Sequence, residues 1–378
     1  MNTLETFDNL IQGDNLLRGI YSYGFENPSP IQTKSIPIIT NGKDIIAQAQ
    51  SGTGKTGSFS IGILNTIDGK LNEVQKLVVV PTHELALQIN DVMNNLSKYM
   101  NINIITLIGK TSINDSIEKL SSNPHIVIGT PGRILDMIQR KYLFTNKINT
   151  LIFDEADEIL SSGFIETIYN IIRYCSNNTQ ICLFSATIPN DILELSTKFM
   201  NNPEKILINK ERLTLEGINQ YYINVDQYNW KFDTIMDLYE KININQCIIY
   251  LNTKSSLHRL YNLLNVNKFP VSYITSELSS TERKNTLDEF KSGKSRVLLS
   301  TDLLSRGIDI QQLSLVINFD IPHDKETYIH RIGRSGRYGR KGSSINLIST
   351  NERDKLEDLI QYYNTEINEL PANFEHIF

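Results

Sequence analysis

The sequence is poor in cysteine and has no long apolar run. Its three cysteines, Cys175, Cys182 and Cys247, are too few and too badly spaced for a zinc site or a disulfide framework, so we expect buried, reduced thiols. No apolar run approaches the roughly 18 residues that a membrane-spanning helix needs. Residues 1–10 carry acidic side chains and no basic one, which argues against a signal or transit peptide. These absences predict a cytoplasmic protein without membrane contact.

The chain also lacks an excess of positive charge. Its 378 residues include 37 basic and 42 acidic side chains, and the formal charge at pH 7 is −5. This balance excludes a globally basic nucleic-acid-binding protein, so any affinity for a phosphate backbone must come from local patches. A composition of 40% hydrophobic and 21% charged residues is ordinary for globular proteins and excludes disorder along the whole chain. At roughly 150 residues per domain, the length predicts two domains.

Short apolar runs recur along the chain, with amphipathic helical segments such as residues 84–99 and 281–290 between them. The runs are apolar at both odd and even positions, as expected of strands that are buried on both faces. Alternation of strands and helices at this spacing predicts an α/β fold of parallel sheets with helices on both faces. The predicted strands are residues 44–47, 77–80, 126–129, 151–153 and 181–184, followed by 220–225, 247–251, 297–300, 315–318 and 344–348.

This alternation is interrupted near residues 209–217, where charged residues and a Leu-Glu-Gly sequence break the pattern. We therefore expect an N-terminal domain at residues 1–211, a linker at 212–217 and a C-terminal domain at 218–378. Both halves show the same kind of alternation. The pattern is compatible with one architecture used twice, although the two half-sequences do not visibly align.

A phosphate-binding loop is predicted after the first strand, where residues 48–56 read QAQSGTGKT. Gly52 and Gly54 let the backbone turn its N–H groups toward a phosphate, and the helix that follows adds partial positive charge. Lys55 suits the β- and γ-phosphates of a nucleotide, and the Thr56 hydroxyl suits Mg²⁺. The alternative is an ordinary glycine turn, which the strand–loop–helix context disfavours.

Two acidic residues follow another predicted strand. Asp154 and Glu155 come directly after residues 151–153, and acids at the carboxyl end of a buried parallel strand point into the ligand crevice. Asp154 suits a Mg²⁺ ligand, and Glu155 suits the group that activates the attacking water. Acids also favour helix N-termini for electrostatic reasons alone. The presence of Lys55 in the same half favours a nucleotide site.

The C-terminal half contains a basic run at residues 330–342, HRIGRSGRYGRKG, with no acid. Three interpretations are open: a solvated surface, a phosphate track for nucleic acid, or arginine fingers for the nucleotide. The glycines favour the last two, because they bring the backbone close to a ligand and reduce the bulk between guanidinium groups.

Together, these motifs resemble the DEAD-box family of ATP-dependent RNA helicases. Residues 154–157 read DEAD, and the resemblance extends over nearly the whole chain. It implies two tandem RecA-like domains, each a parallel sheet with helices on both faces, and the use of ATP and Mg²⁺. Further family motifs are matched, in order, by residues 24–32 (GFENPSPIQ), 81–88 (PTHELALQ), 130–133 (TPGR), 185–187 (SAT), 252–254 (NTK), 301–309 (TDLLSRGID) and 330–337 (HRIGRSGR).

The resemblance implies roles for residues around the nucleotide. In the family, an amide at the position of Gln32 reads the adenine edge and an aromatic at the position of Phe7 stacks on the base. Glu155 is then the catalytic base, and Arg334 and Arg337 are the arginine fingers. The remaining implied contacts of ATP are Ser51, Gly52, Thr53, Gly54, the catalytic Lys55, Thr56, Asp154, Gly307 and Asp309, with Thr56 and Asp154 as the metal ligands.

The resemblance also implies that single-stranded RNA lies across both domains and is held through its backbone, without sequence readout. The expected activity is RNA-dependent ATP hydrolysis with unwinding of short RNA duplexes, by a monomer. A DNA translocase or a small-molecule enzyme fits the motifs less well. The implied RNA contacts are Pro81, Thr82, Gly109, Thr130, Arg133, Asn252, Arg283 and Thr301. The residues implied to couple hydrolysis to strand separation are Ser185, Thr187, Asp157 and His330.

Within the family, the chain is most similar to the translation initiation factor 4A branch, which also implies a scaffold-type initiation factor as partner. Residues 333–340 resemble the splicing-associated paralogue as well, so an ATP-gated RNA clamp with slow turnover is the alternative. The similarity to the initiation factor rests on the minimal length and on residues 213–218, 230–234, 302–318 and 363–371.

The chain departs from the family pattern at several positions near the implied RNA contacts. His83 replaces the usual Arg, which exchanges a permanent cation for a group that is mostly neutral at pH 7. Lys110 stands where the family often has a second glycine. Residues 275–277 read Thr-Ser-Glu in place of His-Gly-Asp, and Ser280 replaces the Gln of the following motif. Since none of these residues is an implied contact of ATP, we expect ATP hydrolysis.

Overall fold

The computed structural model describes residues 6–50, 52–109, 111–161, 163–207, 218–241, 246–302, 313–335 and 342–374. The chain divides into two units, Met1–Leu207 and Ile208–Phe378. The linker expected at residues 212–217 lies outside the described residues, so the proposed domain boundaries stay a prediction.

The first unit contains a seven-stranded parallel sheet. Its strands are β1 (Ile45–Gln48), β2 (Lys76–Val79), β3 (Ile104–Leu107), β4 (Ile126–Gly129), β5 (Thr150–Asp154), β6 (Gln180–Ser185) and β7 (Glu204–Ile206). They are arranged in the order β3-β4-β2-β5-β6-β1-β7. The helices are α1 (Phe7–Leu10), α2 (Asp14–Tyr23), α3 (Pro30–Thr40), α4 (Lys55–Leu64), α5 (His83–Leu96), α6 (Ile113–Ser121), α7 (Pro131–Gln139), α8 (Ala156–Ser161), α9 (Ile165–Tyr174) and α10 (Asn190–Ser196).

Helices cover both faces of this sheet, as the apolar strands predict. Successive residues of β6 alternate between two apolar clusters, one on each side. Cys182 and Phe184 pack in the cluster that contains Phe59 of α4. Ile181 and Leu183 pack in the other cluster. The inner residues of β6 are therefore all apolar, and its polar residues, Gln180 and Ser185, stand at its two ends.

The second unit repeats the same architecture. Its strands are β8 (Ile218–Val225), β9 (Cys247–Tyr250), β10 (Val271–Ile274), β11 (Val297–Ser300), β12 (Leu315–Asn318), β13 (Gly342–Ser349) and β14 (Asn368–Glu369). Their order, β10-β11-β9-β12-β13-β8-β14, is that of the first sheet position by position. The helices are α11 (Trp230–Lys241), α12 (Lys254–Val266), α13 (Ser280–Lys291), α14 (Lys325–Ile332) and α15 (Arg353–Tyr363). The α/β architecture of two parallel sheets is therefore confirmed.

The four strands that the sequence did not predict, β3, β7, β10 and β14, are the edge strands of the two sheets. Three of them are partly or wholly exposed, so they lack a continuous apolar pattern. The fourth, β3, is buried and as long as the predicted strands β1, β2 and β4, so length does not explain why it was missed. Exposure on the free side of an edge strand explains why the other three were not recognised.

The expectation of buried thiols holds for Cys182 and Cys247, whereas Cys175 is half-buried, and all three are free. Among the described residues, no helix is both long and apolar enough to cross a bilayer.

One charged group lies in the interior of the first unit, at the end of its sheet where the strands begin. Lys76, the first residue of β2, is 2% exposed. Its ammonium group donates to the hydroxyls of Thr66 at 2.8 Å and Thr150 at 3.1 Å. Burial lowers the pKa of Lys76 from 10.5 to about 8, with the neighbouring Cys182 opposing the shift. Since no full negative charge neutralises the amine through these bonds, it loses its proton more readily than in water.

We expect Lys76 to give the protein a measurable stability change in alkaline solution. Between about pH 8 and pH 10.5 the unfolded chain holds more protons on this amine than the folded chain, so its contribution to stability rises with pH. Lys76→Met should remove that rise from the free energy of unfolding measured in urea across this window. The exposed Lys43, changed to Met, serves as the control and should keep the wild-type profile. Identical profiles for Lys76→Met and the wild type would contradict a buried amine.

Candidate nucleotide and RNA sites

Apart from Phe7 and Gln32, which precede β1, the predicted site residues of the first unit lie in or after the carboxyl ends of its strands. Parallel strands end at a common edge, so the loops that follow them meet there. The nucleotide motifs follow β1, β5 and β6, which are neighbours in the sheet. The RNA motifs follow β2, β3 and β4, which are also neighbours. The edge thus consists of a nucleotide half, after β1, β5 and β6, and an adjoining RNA half, after β2, β3 and β4. The sequence does not reveal this order of the strands.

The loop between β1 and α4 has the backbone that phosphate binding needs. Gly52 and Gly54 both have positive φ, 79° and 104°, which side-chain-bearing residues rarely adopt. The hydroxyl of Thr53 donates to the carbonyl of Gln50 at 2.7 Å and closes the turn. Lys55 is the first residue of α4, so it begins at the positive end of the helix.

Gln32 lies directly against this loop and is almost completely buried. Its Oε1 accepts the backbone N–H of Ser29 at 2.9 Å, and its Nε2 donates to the carbonyl of Gly54 at 3.3 Å. A Cβ on Gly54 would stand 2.8 Å from Nε2, so glycine is required there. An amide has two donors and two acceptor lone pairs, which leaves one of each for a ligand.

Phe7 is placed in the core. Its ring lies 6.1 Å from the ring of Phe25 and 6.4 Å from that of Tyr21, and the residue is fully buried. Phe25 in turn approaches the backbone of Gly57 in α4, where a Cβ would lie 3.2 Å from the Phe25 ring. The aromatic group therefore packs against the first turn of α4, and stacking of Phe7 on a base stays a prediction.

The acidic residues complete the nucleotide half. Asp154 ends β5, and Glu155 turns the chain into α8 with a positive φ of 50°, a strained conformation for this residue. The turn brings Glu155 Oε2 to 3.8 Å from Lys55 Nζ. Burial, reinforced by the adjacent Glu155, raises the pKa of the Asp154 carboxyl well above its usual range, and Lys55 opposes the shift.

These buried groups fit a nucleotide with its metal. Lys55 Nζ is buried and, within the described residues, has no hydrogen-bond acceptor, so an anion such as phosphate would satisfy it. The two desolvated carboxyls of Asp154 and Glu155 lie side by side, an arrangement that a divalent cation would stabilise.

Of the residues predicted to couple hydrolysis to strand separation, Thr187 and Asp157 are in direct contact. The Thr187 hydroxyl donates to Asp157 Oδ2 at 2.5 Å, which joins the end of β6 to the acidic motif. The Ser185 carbonyl accepts the N–H of Ala49 at 3.0 Å, which joins β6 to the strand before the phosphate loop. His330 belongs to the second unit, where it is fully buried.

In the RNA half of the edge, two predicted contacts stand at the N-cap positions of helices. Thr82 is the N-cap of α5, where its Oγ1 accepts the N–H of Leu85 at 3.3 Å. Thr130 is the N-cap of α7. Because β2 and β4 are neighbours, these two positive helix ends lie side by side, and Pro81 immediately precedes one of them. Paired helix N-termini suit successive phosphates of a nucleic acid backbone.

Arg133 has a structural role that its motif did not reveal. Its guanidinium donates to the Thr111 carbonyl at 2.8 Å, the Ser112 carbonyl at 3.2 Å and the Ser116 hydroxyl at 2.6 Å. These bonds hold the start of α6, which follows Gly109. The structure therefore shows Arg133 as an anchor of this loop, and its direct contact with RNA stays a prediction.

In the second unit, the predicted RNA contacts occupy the same half of the edge. Asn252 follows β9, Thr301 follows β11, and Arg283 lies in α13, which follows β10. These three strands hold the positions that β2, β4 and β3 hold in the first sheet. The two predicted RNA halves are thus equivalent in topology.

The sequence did not single out Arg331, which is fully buried at the centre of the second unit's edge. Its Nε donates to Asp302 Oδ1 at 2.6 Å, Nη1 to the Asp320 carbonyl at 2.7 Å and Nη2 to Asn252 Oδ1 at 2.8 Å. The cation also lies 5.3 Å from the centre of the Tyr250 ring. Arg331 thus joins three loops that carry or adjoin predicted contacts.

Arg334 is also largely buried, and its Nε donates to the His330 carbonyl at 3.3 Å. A solvated surface is therefore the wrong interpretation for the described part of the basic run. The predicted contacts that lie outside the described residues are Ser51, Gly307, Asp309 and Arg337.

A second buried cation, Lys231, also escaped the sequence reading. It lies at the start of α11, which follows β8, the strand that holds the position of β1. Its ammonium group donates to Glu352 Oε2 at 2.6 Å and to the Phe319 carbonyl at 2.7 Å, and lies 3.7 Å from Asp320 Oδ1. Burial raises the pKa of Glu352, but the charge and hydrogen bond of Lys231, together with hydrogen bonds from Ser349, lower it by more, so the pKa lies below its usual value. The lysine of the second unit is thus hydrogen-bonded to an internal carboxylate, whereas Lys55 has a carboxylate at 3.8 Å and no hydrogen-bond acceptor among the described residues.

We expect Arg331→Met to lower the free energy of unfolding of the second unit by about 3–5 kcal/mol, because the substitution leaves buried polar partners without their donor. Urea unfolding followed by circular dichroism measures the change. The exposed Arg353, changed to Met, should cost less than about 0.5 kcal/mol. Equal costs for the two substitutions would show that the buried network does not stabilise the unit.

Comparisons with known proteins show the family to which the chain belongs. Residues 29–195 match the DEAD/DEAH box helicase family and residues 230–339 match the helicase conserved C-terminal domain. The chain is 50% identical to the ATP-dependent RNA helicase eIF4A of Meyerozyma guilliermondii, over 100% of this chain and 95% of that protein. It is also 50% identical to eukaryotic initiation factor 4A of Caenorhabditis elegans, over 98% and 92% of the two chains.

Among solved structures, S. cerevisiae Dbp5 bound to RNA and ADP BeF3 has a TM-score of 0.91 and 33% identity, over 97% of this chain and 96% of Dbp5. The fold, the motifs and two relatives that match nearly the full length therefore agree, and the chain belongs to the DEAD-box family of ATP-dependent RNA helicases.

Proposed function

We propose that the protein is an RNA-dependent ATPase that binds single-stranded RNA without sequence preference and unwinds short RNA duplexes during translation initiation. One observation carries the nucleotide part of this proposal. Lys55 Nζ is buried, lacks a hydrogen-bond acceptor among the described residues, and faces the carboxylate of Glu155. A buried cation that lacks a hydrogen-bond acceptor and lies beside buried carboxylates is the arrangement that a nucleoside triphosphate with a divalent cation would satisfy.

In this proposal, each residue of the nucleotide half has a distinct task. Lys55 binds the β- and γ-phosphates, and Gln32, held between Ser29 and Gly54, recognises the adenine edge. Thr56 and Asp154 would hold Mg²⁺, which neutralises phosphate charge when bound. Glu155 orients the attacking water and accepts its proton.

RNA binding is proposed to rest on the backbone of the nucleic acid. The helix N-termini at Thr82 and Thr130 offer N–H groups and partial positive charge to phosphates. Neither feature reads a base, so affinity should be independent of sequence and sensitive to salt. In the second unit, Asn252, Arg283 and Thr301 are the proposed contacts.

Arg334 and Arg337 are proposed as arginine fingers that stabilise the charge on the γ-phosphate in the transition state. A finger contributes roughly 10³–10⁵ in rate, so hydrolysis should depend strongly on the second unit. The Thr187–Asp157 hydrogen bond supports a link between the acidic motif and the SAT motif.

The translation role follows from the relatives that are named as initiation factor 4A, at 50% identity over nearly the full chain. The clamp alternative is not favoured by these relatives. We propose that the protein works in the cytoplasm as a monomer and that a scaffold-type initiation factor assists it.

The test is steady-state ATP hydrolysis without nucleic acid, with single-stranded RNA and with single-stranded DNA. We expect stimulation by RNA alone. Glu155→Gln should bind ATP and RNA as the wild type does and lose turnover, because the water then lacks its base. Equal rates in all three mixtures would overturn RNA dependence, and turnover by Glu155→Gln would remove Glu155 as the base.

A second prediction concerns His83, which stands at the start of α5 near Gly109. His83→Arg should tighten RNA binding and steepen its salt dependence by about 0.7 in the slope of log K against log salt, because one phosphate contact is gained. Fluorescence anisotropy with a labelled RNA measures both quantities. The control is Gln139→Arg, which adds a positive charge at the C-terminal end of α7, away from the proposed contact Thr130. It should change neither the affinity for RNA nor the salt dependence. If the two variants behave alike, position 83 does not contact RNA.

A further inference from the structure

An exposed ion pair lies among the proposed RNA contacts of the second unit. Lys254 begins α12, two residues after Asn252. Glu277 follows β10 and precedes Arg283 of α13. The strands β9 and β10 flank β11, after which Thr301 lies. The pair therefore connects the two outer loops of the RNA half, on either side of a proposed contact.

The geometry of this pair is that of a cation held by an internal anion. Lys254 Nζ donates to Glu277 Oε1 at 3.0 Å. His258, one turn along α12, places Nε2 3.6 Å from Glu277 Oε2. The hydrogen bond from Lys254, with its positive charge, lowers the pKa of Glu277, so the carboxylate is ionised near neutral pH. Two nitrogen-bearing side chains thus converge on one carboxylate.

All three side chains can be reached from solvent. The exposed fractions are 44% for Lys254, 41% for His258 and 58% for Glu277. Ion pairs at this exposure contribute little to stability, because water screens the charges and two long side chains must be ordered. A competing anion can therefore replace Glu277 without disturbing the fold.

The imidazole is held in place from the other side. The His258 ring packs edge to face on Tyr273 at 5.2 Å, and Tyr273 packs on Tyr261 at 4.8 Å. Thr253 caps α12 by accepting the N–H of Ser256 at 3.1 Å, which fixes the start of the helix. Lys254 and His258 are therefore presented from a fixed helix end, whereas Glu277 stands on a loop.

We propose that Lys254 and His258 form a further phosphate subsite for single-stranded RNA, and that Glu277 covers this subsite until RNA displaces it. The inference rests on the proposed RNA binding. An RNA phosphate replaces the Glu277 carboxylate as acceptor of the Lys254 hydrogen bond, and the carboxylate turns to solvent. Glu277 thus lowers RNA affinity by occupying a cation that RNA would otherwise bind.

The experiment compares RNA affinity of full-length variants by fluorescence anisotropy, with a labelled oligouridylate and over a range of salt concentrations. Glu277→Gln should tighten the Kd by about 2- to 5-fold, since a weak surface ion pair no longer competes. The slope of log K against log salt should steepen by about 0.7, because one more phosphate is neutralised. Lys254→Gln should weaken binding and abolish the effect of Glu277→Gln in the double variant.

The matched control is Glu289→Gln. Glu289 pairs with Lys294 at the far end of α13, so the substitution makes the same charge change in the same region. It should alter the Kd less than Glu277→Gln does and leave the salt slope unchanged.

Two results would overturn the inference while leaving the proposed function intact. Glu277→Gln and Glu289→Gln could have equal effects, which would reduce Glu277 to general charge repulsion. The effect of Glu277→Gln could also persist in full in the Lys254→Gln background, which would remove Lys254 as the group that Glu277 covers. A wild-type protein that fails to bind the oligouridylate would instead contradict the proposed RNA binding itself.

Discussion

The parallel arrangement of strands is the constraint on which the sites depend. Parallel strands that are buried on both faces are mainly apolar, and their carboxyl edge is the place where loops and helix N-termini converge. In the strand order, β1, β5 and β6 precede the loops of the predicted nucleotide site, and β2, β3 and β4 precede the loops of the predicted RNA site. Neighbouring strands carry related tasks although their sequences are far apart.

Buried cations at this edge differ in whether an internal anion satisfies them. Lys55 faces one carboxylate at 3.8 Å and lacks a hydrogen-bond acceptor among the described residues. Arg331 is bound by Asp302, Asn252 and the Asp320 carbonyl. A cation without its acceptor is prepared for a ligand, whereas a saturated one fixes the positions of the loops around it.

The sequence predicted the inner strands, the two-sheet architecture and the family, because continuous apolar runs and closely spaced motifs are local signals. It missed the edge strands β3, β7, β10 and β14, three of which are partly or wholly exposed. It did not show that Arg331 joins three loops, since those contacts are distant in sequence. The same limit applies to Arg133, whose motif suggested RNA and whose side chain in the structure anchors the start of α6.

The pairing of Lys231 with Glu352 has a consequence for how the two halves respond to nucleotide. A ligand that binds only the folded state adds its binding free energy to folding. The lysine of the first unit lacks an acceptor, so nucleotide would protect that half against heat. The lysine of the second unit is already neutralised by its own glutamate. The stability of the first unit would therefore depend on bound nucleotide. The buried lysine of the second unit is paired within its own chain, so the stability of that unit would not depend on nucleotide.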